Sequence, residues 1–349
     1  MKKNFCDDSL YMRRCLQLAA MADGHTSPNP LVGAVIVCDG QIIGEGYHRR
    51  CGEAHAEVNA VASVRDKSLL PHSTLYVSLE PCSHFGKTPP CCDLIISCGI
   101  PKVVVGCLDP FPEVSGRGVK RLREHGVDVR IGVLEDECRM LNRRFMTFQT
   151  ARRPYIVLKW AQSMDGFIDA VRTVEEPPVR LSDNVTRVRV HRLRAVSDAI
   201  LVGTGTVLKD NPELTVRFWS GRNPLRITID RHSRIPSGAH LLDGSVPTLV
   251  FGSANRGIDG VEAVSVPEGS DVLTAMMNEL YKRNVQSLLV EGGRALLQSF
   301  IDAGLWDEAH IETAPLLLRD GVPAPQIAGR EVQIDVYDTN RYVRILAHR

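Results

Sequence analysis

Cysteine is absent from the second half of this 349-residue chain, and all ten of its cysteines lie at or before Cys138. Residues 1–10 carry two lysines but no apolar stretch, so no secretory leader is predicted. Reduced thiols, some of them binding a metal, therefore fit the sequence better than a disulfide framework. The uneven distribution also indicates that two parts of separate origin are joined after Cys138.

The chain also lacks a strong charge of either sign and any long apolar run. Its 42 Lys and Arg residues nearly balance 41 Asp and Glu residues, and the formal net charge is +1. This balance gives no large sequence-independent attraction to nucleic acid. Since no stretch of 18 apolar residues occurs, no membrane span is expected. The sequence predicts a cytoplasmic protein that binds neither nucleic acid nor membranes.

The length favours two domains, because a domain typically has about 100–200 residues. Residues 133–150 have a helical pattern that ends before Pro154, since proline disfavours helix in the residue before it. We place the boundary near residue 150, which gives domains at 1–150 and 151–349.

Residues 1–150 alternate helices and strands, which predicts an α/β/α layer. Asp39-Gly40 between two apolar runs is a strong signal for a two-residue hairpin. The predicted helices are 7–23, 55–64, 91–98 and 117–125, and the predicted strands are 31–38, 41–47, 74–80, 102–108 and 127–133.

Residues 151–349 also predict an α/β domain. Strands are expected at 155–160, 199–202, 225–230, 248–252, 287–291 and 308–313, with a helix at 294–303 and paired strands at 332–337 and 341–346. The buried strand that runs into Glu291-Gly292-Gly293 and then a helix offers backbone N–H groups to an anion. No complete G-x-G-x-x-G fingerprint is present, so this signal is weak by itself.

His55, Cys82 and Cys91, with Glu57 nearby, form the pattern of a mononuclear zinc site. Three protein ligands leave one tetrahedral position for water. Zinc lowers the pKa of that water to about 7, and Glu57 can move its proton without binding the metal. The order H-x-E followed by P-C is typical of zinc deaminases. We expect His55 and Cys91 each in the first turn of a helix.

Three stretches carry a resemblance to a known family: SPNPLVGAV at 27–35, HAEVNA at 55–60 and LEPCSHFGKTPPC at 79–91. They resemble the bifunctional deaminase/reductase family of riboflavin biosynthesis. The eight residues between Cys82 and Cys91 are the most specific feature, because cytidine and tRNA adenosine deaminases have C-x-x-C there. The resemblance continues at 163–166, 203–207, 210–217 and 291–293. It implies a cytidine-deaminase-like α/β/α domain followed by a dihydrofolate-reductase-like α/β domain.

The resemblance implies that the first domain removes the 2-amino group of a small phosphorylated pyrimidine, a diaminopyrimidinone with a ribosylamino 5′-phosphate. His55, Cys82 and Cys91 would hold Zn²⁺, and Glu57 would transfer protons. Residues that would hold the substrate are Asn29, His48, His84 and Lys87. Asp109-Pro110 and Gly116-Arg117-Gly118 also resemble a loop of this family, in which Phe111 stands where asparagine is usual.

For the second domain the resemblance implies NADPH-dependent reduction of the ribosyl group to ribityl. The residues implied to bind the cofactor are Ala161, Arg180, Thr206, Asp210, Gly293 and Arg294, and those implied to bind substrate are Lys159, Arg194, Leu214, Arg217 and Glu291. Pro178 and Arg180 replace a serine and a tryptophan that are usual in the family. Arg180 could stack on the nicotinamide or pair with the 2′-phosphate, or the reductase could be weakened.

A homo-oligomer is expected for this enzyme. Two other functions fit parts of the pattern. One is a zinc-dependent tRNA or nucleoside deaminase with a non-catalytic C-terminal domain, which the near-neutral charge disfavours. The other is a non-catalytic binding module with a structural zinc. Its fourth ligand would be His84 or Cys92, and Glu57 would then have no role.

Overall fold

The computed structural model describes residues 8–83, 89–111, 115–252, 257–267 and 269–348. Between Arg152 and Arg153 the chain divides into two compact units, each with its own sheet. Across the described ranges, no helix has both the length and the apolar character needed to cross a bilayer.

The first unit contains, within its described residues, a five-stranded mixed sheet in the order β2-β1-β3-β4-β5. Its strands are β1 (Gly33–Cys38), β2 (Gln41–Tyr47), β3 (Thr74–Leu79), β4 (Lys102–Cys107) and β5 (Asp128–Ile131). Strands β2, β1 and β3 are antiparallel neighbours, and β3, β4 and β5 are parallel. In the β1–β2 hairpin Cys38 pairs with Gln41, and Asp39 and Gly40 both have positive φ. The predicted two-residue turn is confirmed.

Helices cover both faces of this sheet. They are α1 (Asp8–Ala20), α2 (Ala56–Ser63), α3 (Cys91–Ser97), α4 (Arg117–Glu124), α5 (Glu135–Leu141) and α6 (Arg143–Ala151). Helices α2, α3 and α4 bury Ala60, Ile95 and Leu122 against one face. Helices α1 and α5 bury Met12 and Cys138 against the other. The α/β/α layer is therefore as predicted.

The prediction of a single helix over residues 133–150 is wrong, because the chain forms two helices, α5 and α6, with Asn142 between them. The Asn142 side chain both accepts from the Leu31 backbone N–H and donates to the Leu31 carbonyl, each at 2.8 Å. This buried amide pairs with backbone more than 100 residues away. A tertiary contact therefore sets the break, and local helical pattern does not reveal it.

The described part of the second unit has a nine-stranded sheet in the order β11-β10-β9-β8-β12-β6-β13-β16-β15, plus the small pair β14-β7. Its strands are β6 (Tyr155–Ser163), β7 (Phe167–Asp169), β8 (Ala199–Gly203), β9 (Leu225–Ile229), β10 (Thr248–Phe251), β11 (Val261–Val264), β12 (Ser287–Val290), β13 (Glu308–Ala314), β14 (Val322–Pro323), β15 (Arg330–Tyr337) and β16 (Asn340–Leu346). From β11 to β13 all neighbours are parallel, whereas β13, β16 and β15 are antiparallel.

Helices also pack on this second sheet. They are α7 (Asn184–Val196), α8 (Thr204–Asp210), α9 (Val272–Lys282) and α10 (Arg294–Asp302). Met276 of α9 and Phe300 of α10 are buried on one face, and Val207 of α8 is buried on the other. Parallel strands β6, β8 and β12 are adjacent, so their carboxyl ends meet at one edge, where α/β sheets commonly bind ligands. The terminal hairpin β15–β16 is as predicted, whereas α7, α8 and α9 were not predicted.

Candidate active sites

The three predicted metal ligands come together in the first unit. The ligand atoms of His55, Cys82 and Cys91 all lie within 4.8 Å of one another. His55 Nδ1 is 3.3 Å from Cys91 Sγ and 3.6 Å from Cys82 Sγ. Zn–N bonds of about 2.0 Å and Zn–S bonds of about 2.3 Å around a tetrahedral ion place ligand atoms roughly 3.5 Å apart. The donor set and its spacing therefore fit zinc.

The local backbone explains how His55 and Glu57 face the same place. His55 is the residue before α2 and has extended φ and ψ of −70° and 165°. The expectation that it lies in the first helical turn is therefore wrong by one position. Two residues within a helix would point about 200° apart, and the extended His55 avoids this separation. Cys91 is the first residue of α3, as expected.

Glu57 lies in the same cavity as His55 and Cys82. Its side chain is buried, and this burial together with the negative charge of the Cys82 thiolate raises its pKa to about 7. A carboxyl with such a pKa can both take and release a proton near neutral pH. Hydrogen bonds from the Cys91 thiol and His55 lower the pKa of Cys82, which favours the thiolate that binds metals.

Asn29 and His48 form part of the wall of this cavity, whose volume is about 520 Å³. Asn29 Nδ2 is 3.1 Å from His48 Nε2, and His48 Nδ1 is 3.1 Å from the Ala54 carbonyl oxygen. The Ala54 carbonyl needs a donor, so His48 carries its proton on Nδ1 and accepts from Asn29 at Nε2. Burial lowers the pKa of His48, which favours this neutral form. His84 and Lys87 lie outside the described residues.

Cys92 is not part of the metal cluster. Its buried thiol donates to the carbonyls of Pro81 at 3.4 Å and Gly118 at 3.5 Å. Burial raises its pKa to about 12. Cys92 therefore remains a protonated core thiol, and it does not supply the fourth ligand that a closed structural zinc site needs.

Sequence reasoning gave no site role to several residues that also line the cavity: Asp109, Arg117, Phe145 and Gln149. Asp109 and Arg117 belong to stretches that resemble a family loop. Phe145 and Gln149 lie on α6, whose start depends on the tertiary contact of Asn142, so no local signal indicated them. Phe111 also lines the cavity.

The second unit has a cavity of about 1230 Å³ at the carboxyl ends of β6, β8 and β12. Two predicted substrate residues, Lys159 and Glu291, line it. All six predicted cofactor residues also line it, namely Ala161, Arg180, Thr206, Asp210, Gly293 and Arg294. Gly203 precedes α8 and Gly293 precedes α10, so two helix N-termini open toward the cavity. A Cβ on Gly205 would meet nothing within 4 Å, and one on Gly293 would meet only Thr206 Oγ1 at 3.8 Å. The backbone there is open to a bound anion.

Cations are the main charged groups of this cavity. Four carboxylates line the cavity, but six cationic side chains do. The cations are Lys159, Arg172, Arg180, Arg187, Lys209 and Arg294. This charge suits a phosphorylated cofactor. Arg172, Arg187 and Lys209 were not predicted, because no motif surrounds them. The Arg172 guanidinium is buried between Asp169, at 2.6 Å, and Asp210, so Asp210 already has a cationic partner.

Glu291 joins this cavity to the other predicted substrate residues. It forms a bidentate pair with Arg194, at 2.7 and 3.3 Å, and each side chain is only 13% exposed. Burial opposes ionisation of Glu291, but the Arg194 charge outweighs it and lowers the pKa. Arg194 also donates to the Thr215 carbonyl at 3.2 Å, which attaches the 213–217 segment to the site.

Arg194, Leu214 and Arg217 are not among the residues that line the cavity. Leu214 is buried in the core at a φ of 56°, so any substrate contact from it must come from its backbone. Arg217 lies at the surface beside Glu213. Asp165 lies in the turn between β6 and β7, where its carboxylate accepts from the backbone N–H groups of Leu318 and Arg319.

Both units match known protein families. Residues 6–107 match the model of the cytidine and deoxycytidylate deaminase zinc-binding region, and residues 154–336 match the model of the RibD C-terminal domain. The riboflavin biosynthesis protein RibD of Aquifex aeolicus is 40% identical over 333 residues, covering 93% of this chain and 92% of the relative. The chain belongs to the RibD family.

Other RibD proteins agree with this assignment over nearly the full length. RibD of Escherichia coli is 40% identical, with 89% of this chain and 88% of that protein covered. The crystal structure of the deaminase/reductase of Thermotoga maritima has a TM-score of 0.88 at 36% identity, covering 98% of this chain and 99% of that one. A structure of RibD from Acinetobacter baumannii has a TM-score of 0.89 at 32% identity, with 98% and 99% covered.

These matches confirm the predicted fold class and function. The chain is a bifunctional RibD enzyme that combines a zinc-dependent deaminase with an NADPH-dependent reductase. The comparisons do not support the alternative of a tRNA deaminase with a non-catalytic C-terminal domain.

Proposed function

We propose that residues 1–150 form the deaminase domain, in which His55, Cys82 and Cys91 hold zinc and Glu57 moves the protons. The single observation that carries this proposal is the grouping of the three ligand atoms within 4.8 Å, in a cavity that also contains the buried Glu57. When bound, zinc supplies a hydroxide near neutral pH by lowering the pKa of a water molecule.

Glu57 performs the proton transfers of hydrolytic deamination in this proposal. It takes a proton from the attacking water and delivers one to the departing amine, and its pKa of about 7 suits both roles. The neutral His48 fixes the Asn29 amide, which can then orient the pyrimidine ring. We assign the ribosyl phosphate end of the substrate to His84 and Lys87, whose side-chain types suit a phosphate.

The substrate that we propose is 2,5-diamino-6-(5-phosphoribosylamino)pyrimidin-4-one. The deaminated product then becomes the substrate of residues 151–349, where NADPH supplies the hydride that reduces the ribosyl group. In this domain Thr206, in the first turn of α8, and Gly293, directly before α10, bind cofactor together with Ala161, Asp210 and Arg294. Lys159 and Glu291 contact the substrate, and the 213–217 segment with Arg194 forms the far end of its site.

Arg180 takes a cofactor role in which its charge contacts a phosphate of NADPH. Its guanidinium lines the cavity and is held by Asn184 Oδ1 at 2.8 Å, which supports this assignment. Arg180→Ala should raise KM for NADPH several-fold with little change in kcat. An unchanged KM would remove Arg180 from the cofactor site.

Metal analysis of purified variants tests the zinc assignment. His55→Ala, Cys82→Ser and Cys91→Ser should each retain far less than one zinc per chain. Cys92→Ser is the matched control, since its thiol faces two carbonyls, and it should keep stoichiometric zinc. Equal zinc loss in Cys92→Ser, or full zinc content in any of the first three variants, would contradict the ligand set.

The proposal also covers the oligomeric state and the cellular location of the enzyme. We propose a homo-oligomer that uses the edge of the second sheet, because β15 ends the sheet order and exposes Ile334 and Val336. Sedimentation of Ile334→Lys against the native chain tests this assembly. We also propose a cytoplasmic location, which free thiols such as Cys51 and Cys98 favour because they persist where disulfides do not form.

A further inference from the structure

Glu80 is a buried carboxylate directly before Pro81-Cys82, and the two functions leave it without a role. It is 6% exposed. Four backbone N–H groups donate to it: Gly118 at 2.9 Å and Val119 at 3.2 Å to Oε1, and Gly116 at 2.9 Å and Asp109 at 3.3 Å to Oε2. Charge-assisted bonds of this kind offset the cost of burying a carboxylate.

The four donors belong to the two described parts of the segment between β4 and α4, residues 109–111 after β4 and residues 115–119 at the start of α4. Gly116 precedes α4 and has no side chain to cap it, so the first N–H groups of the helix need another acceptor. Glu80 supplies that acceptor, and its negative charge lies at the positive end of the helix dipole.

Close packing also ties this segment to Glu80 and Pro81. A Cβ on Gly118 would lie 2.2 Å from the Pro81 carbonyl oxygen and 3.1 Å from Glu80 Oε1. Gly116 has a φ of 77°, which favours glycine. Both glycines of the Gly116-Arg117-Gly118 stretch are therefore required by the way that the segment meets Glu80.

The same segment contributes to the deaminase cavity. Asp109, Phe111 and Arg117 line it together with Glu57 and Glu80. Arg117 projects from the first turn of α4, one residue from two of the N–H groups that Glu80 holds. A guanidinium in this cavity suits an anionic substrate group.

We propose that Glu80 is a positioning residue of the deaminase, which holds residues 109–111 and 115–119 so that Asp109 and Arg117 contact the phosphorylated substrate. The proposal rests on the proposed function of the zinc site. Glu80 acts through the segment and does not touch the reacting atoms. Its loss therefore weakens substrate and transition-state binding alike, which raises KM and leaves kcat nearly unchanged.

Glu80→Gln tests this role because it keeps the shape and turns one acceptor oxygen into an NH₂ group that faces N–H donors. We expect KM for the diaminopyrimidinone phosphate to rise roughly tenfold or more, as loss of charge-assisted hydrogen bonds predicts, while kcat stays within about twofold. Zinc content should stay at one per chain. The zinc content therefore reports on folding of the first unit, and an unchanged reductase turnover of the deaminated substrate shows that the effect is confined to the deaminase. Glu80→Asp, which keeps the charge, should recover part of the affinity.

A double-mutant cycle with Arg117→Ala identifies the path of the effect. If Glu80 acts by placing Arg117, then Arg117→Ala raises KM in the native chain but adds little in the Glu80→Gln background. Glu124→Gln is the matched control, an exposed carboxylate at the end of α4, and should leave KM unchanged.

Three results would overturn the proposal: a native KM in Glu80→Gln, additive effects of the two substitutions, or loss of zinc together with kcat. The last result would make Glu80 a scaffold of the metal site. Failure of the underlying function is distinguishable, because the native chain itself would then release no ammonia.

Discussion

Glu291→Gln should destabilise the second unit far more than loss of an ordinary surface ion pair. The substitution leaves the Arg194 guanidinium without its carboxylate, although both side chains are only 13% exposed. Removing one partner of a buried pair costs about 3–5 kcal/mol. The remaining exposure and the hydrogen bond from Arg194 to Thr215 place this case near the lower end, at about 3 kcal/mol.

Urea denaturation followed by tryptophan fluorescence measures this effect in the right unit. All three tryptophans, Trp160, Trp219 and Trp306, lie after residue 152 and therefore report on the second unit. With a dependence of about 2–3 kcal/mol per molar urea, the midpoint should fall by roughly 1–1.5 M.

Two variants show whether the cost comes from the unpaired charge. Glu213→Gln breaks the exposed pair with Arg217 and should cost at most about 0.5 kcal/mol. Arg194→Met combined with Glu291→Met removes both charges and should recover most of the stability while the reductase still loses substrate affinity. If Glu291→Gln costs no more than Glu213→Gln, the reasoning about this buried pair is refuted.

Three other perturbations give distinct expectations. Glu57→Gln should lower deaminase kcat by about 10²–10⁴ with zinc content unchanged, and a native kcat in ammonia release would contradict the proton-transfer role. Burial and the charges of Arg194 and Arg217 lower the pKa of His191 to about 4, whereas the unfolded side chain titrates near about 6.5. The unfolded state thus binds more protons between these values, so stability is lost as pH falls from about 6.5 to 4. His191→Asn keeps an acceptor for the backbone N–H of Arg217. This substitution should flatten that part of the curve of unfolding free energy against pH. Zinc removal by a chelator should abolish ammonia release and leave NADPH oxidation with the deaminated substrate intact; parallel loss of both activities would disprove the separation of the two sites.

The sequence signals that predicted structure correctly were local ones. Asp39-Gly40 specified its hairpin because a type of turn with two positive φ values needs those residue types. The spacing of His55, Cys82 and Cys91 indicated a metal site because zinc fixes the ligand types. In the second unit Gly293 marked the start of α10 at the end of a buried strand.

Features set by distant contacts could not be predicted in this way. The break at Asn142 depends on Leu31, and the position of Arg172 depends on Asp169 and Asp210. Helix α7 contains many cationic residues and only a narrow apolar face, so the hydrophobic periodicity of its sequence is weak. Asp183 nevertheless caps the helix by accepting from the Thr186 N–H. Glu80 lies in the LEPC motif, whose cysteine indicated zinc binding. Only the folded chain shows the four donors around the Glu80 carboxylate.

A sequential assay on the purified chain shows whether two chemically separate active sites act in order on one substrate. The diaminopyrimidinone phosphate is supplied first, and ammonia is measured before any NADPH is added. We expect stoichiometric ammonia in that first phase, and oxidation of NADPH in equal amount only after deamination. Oxidation of NADPH by the undeaminated substrate in a Glu57→Gln variant, or no oxidation after complete deamination, would contradict it.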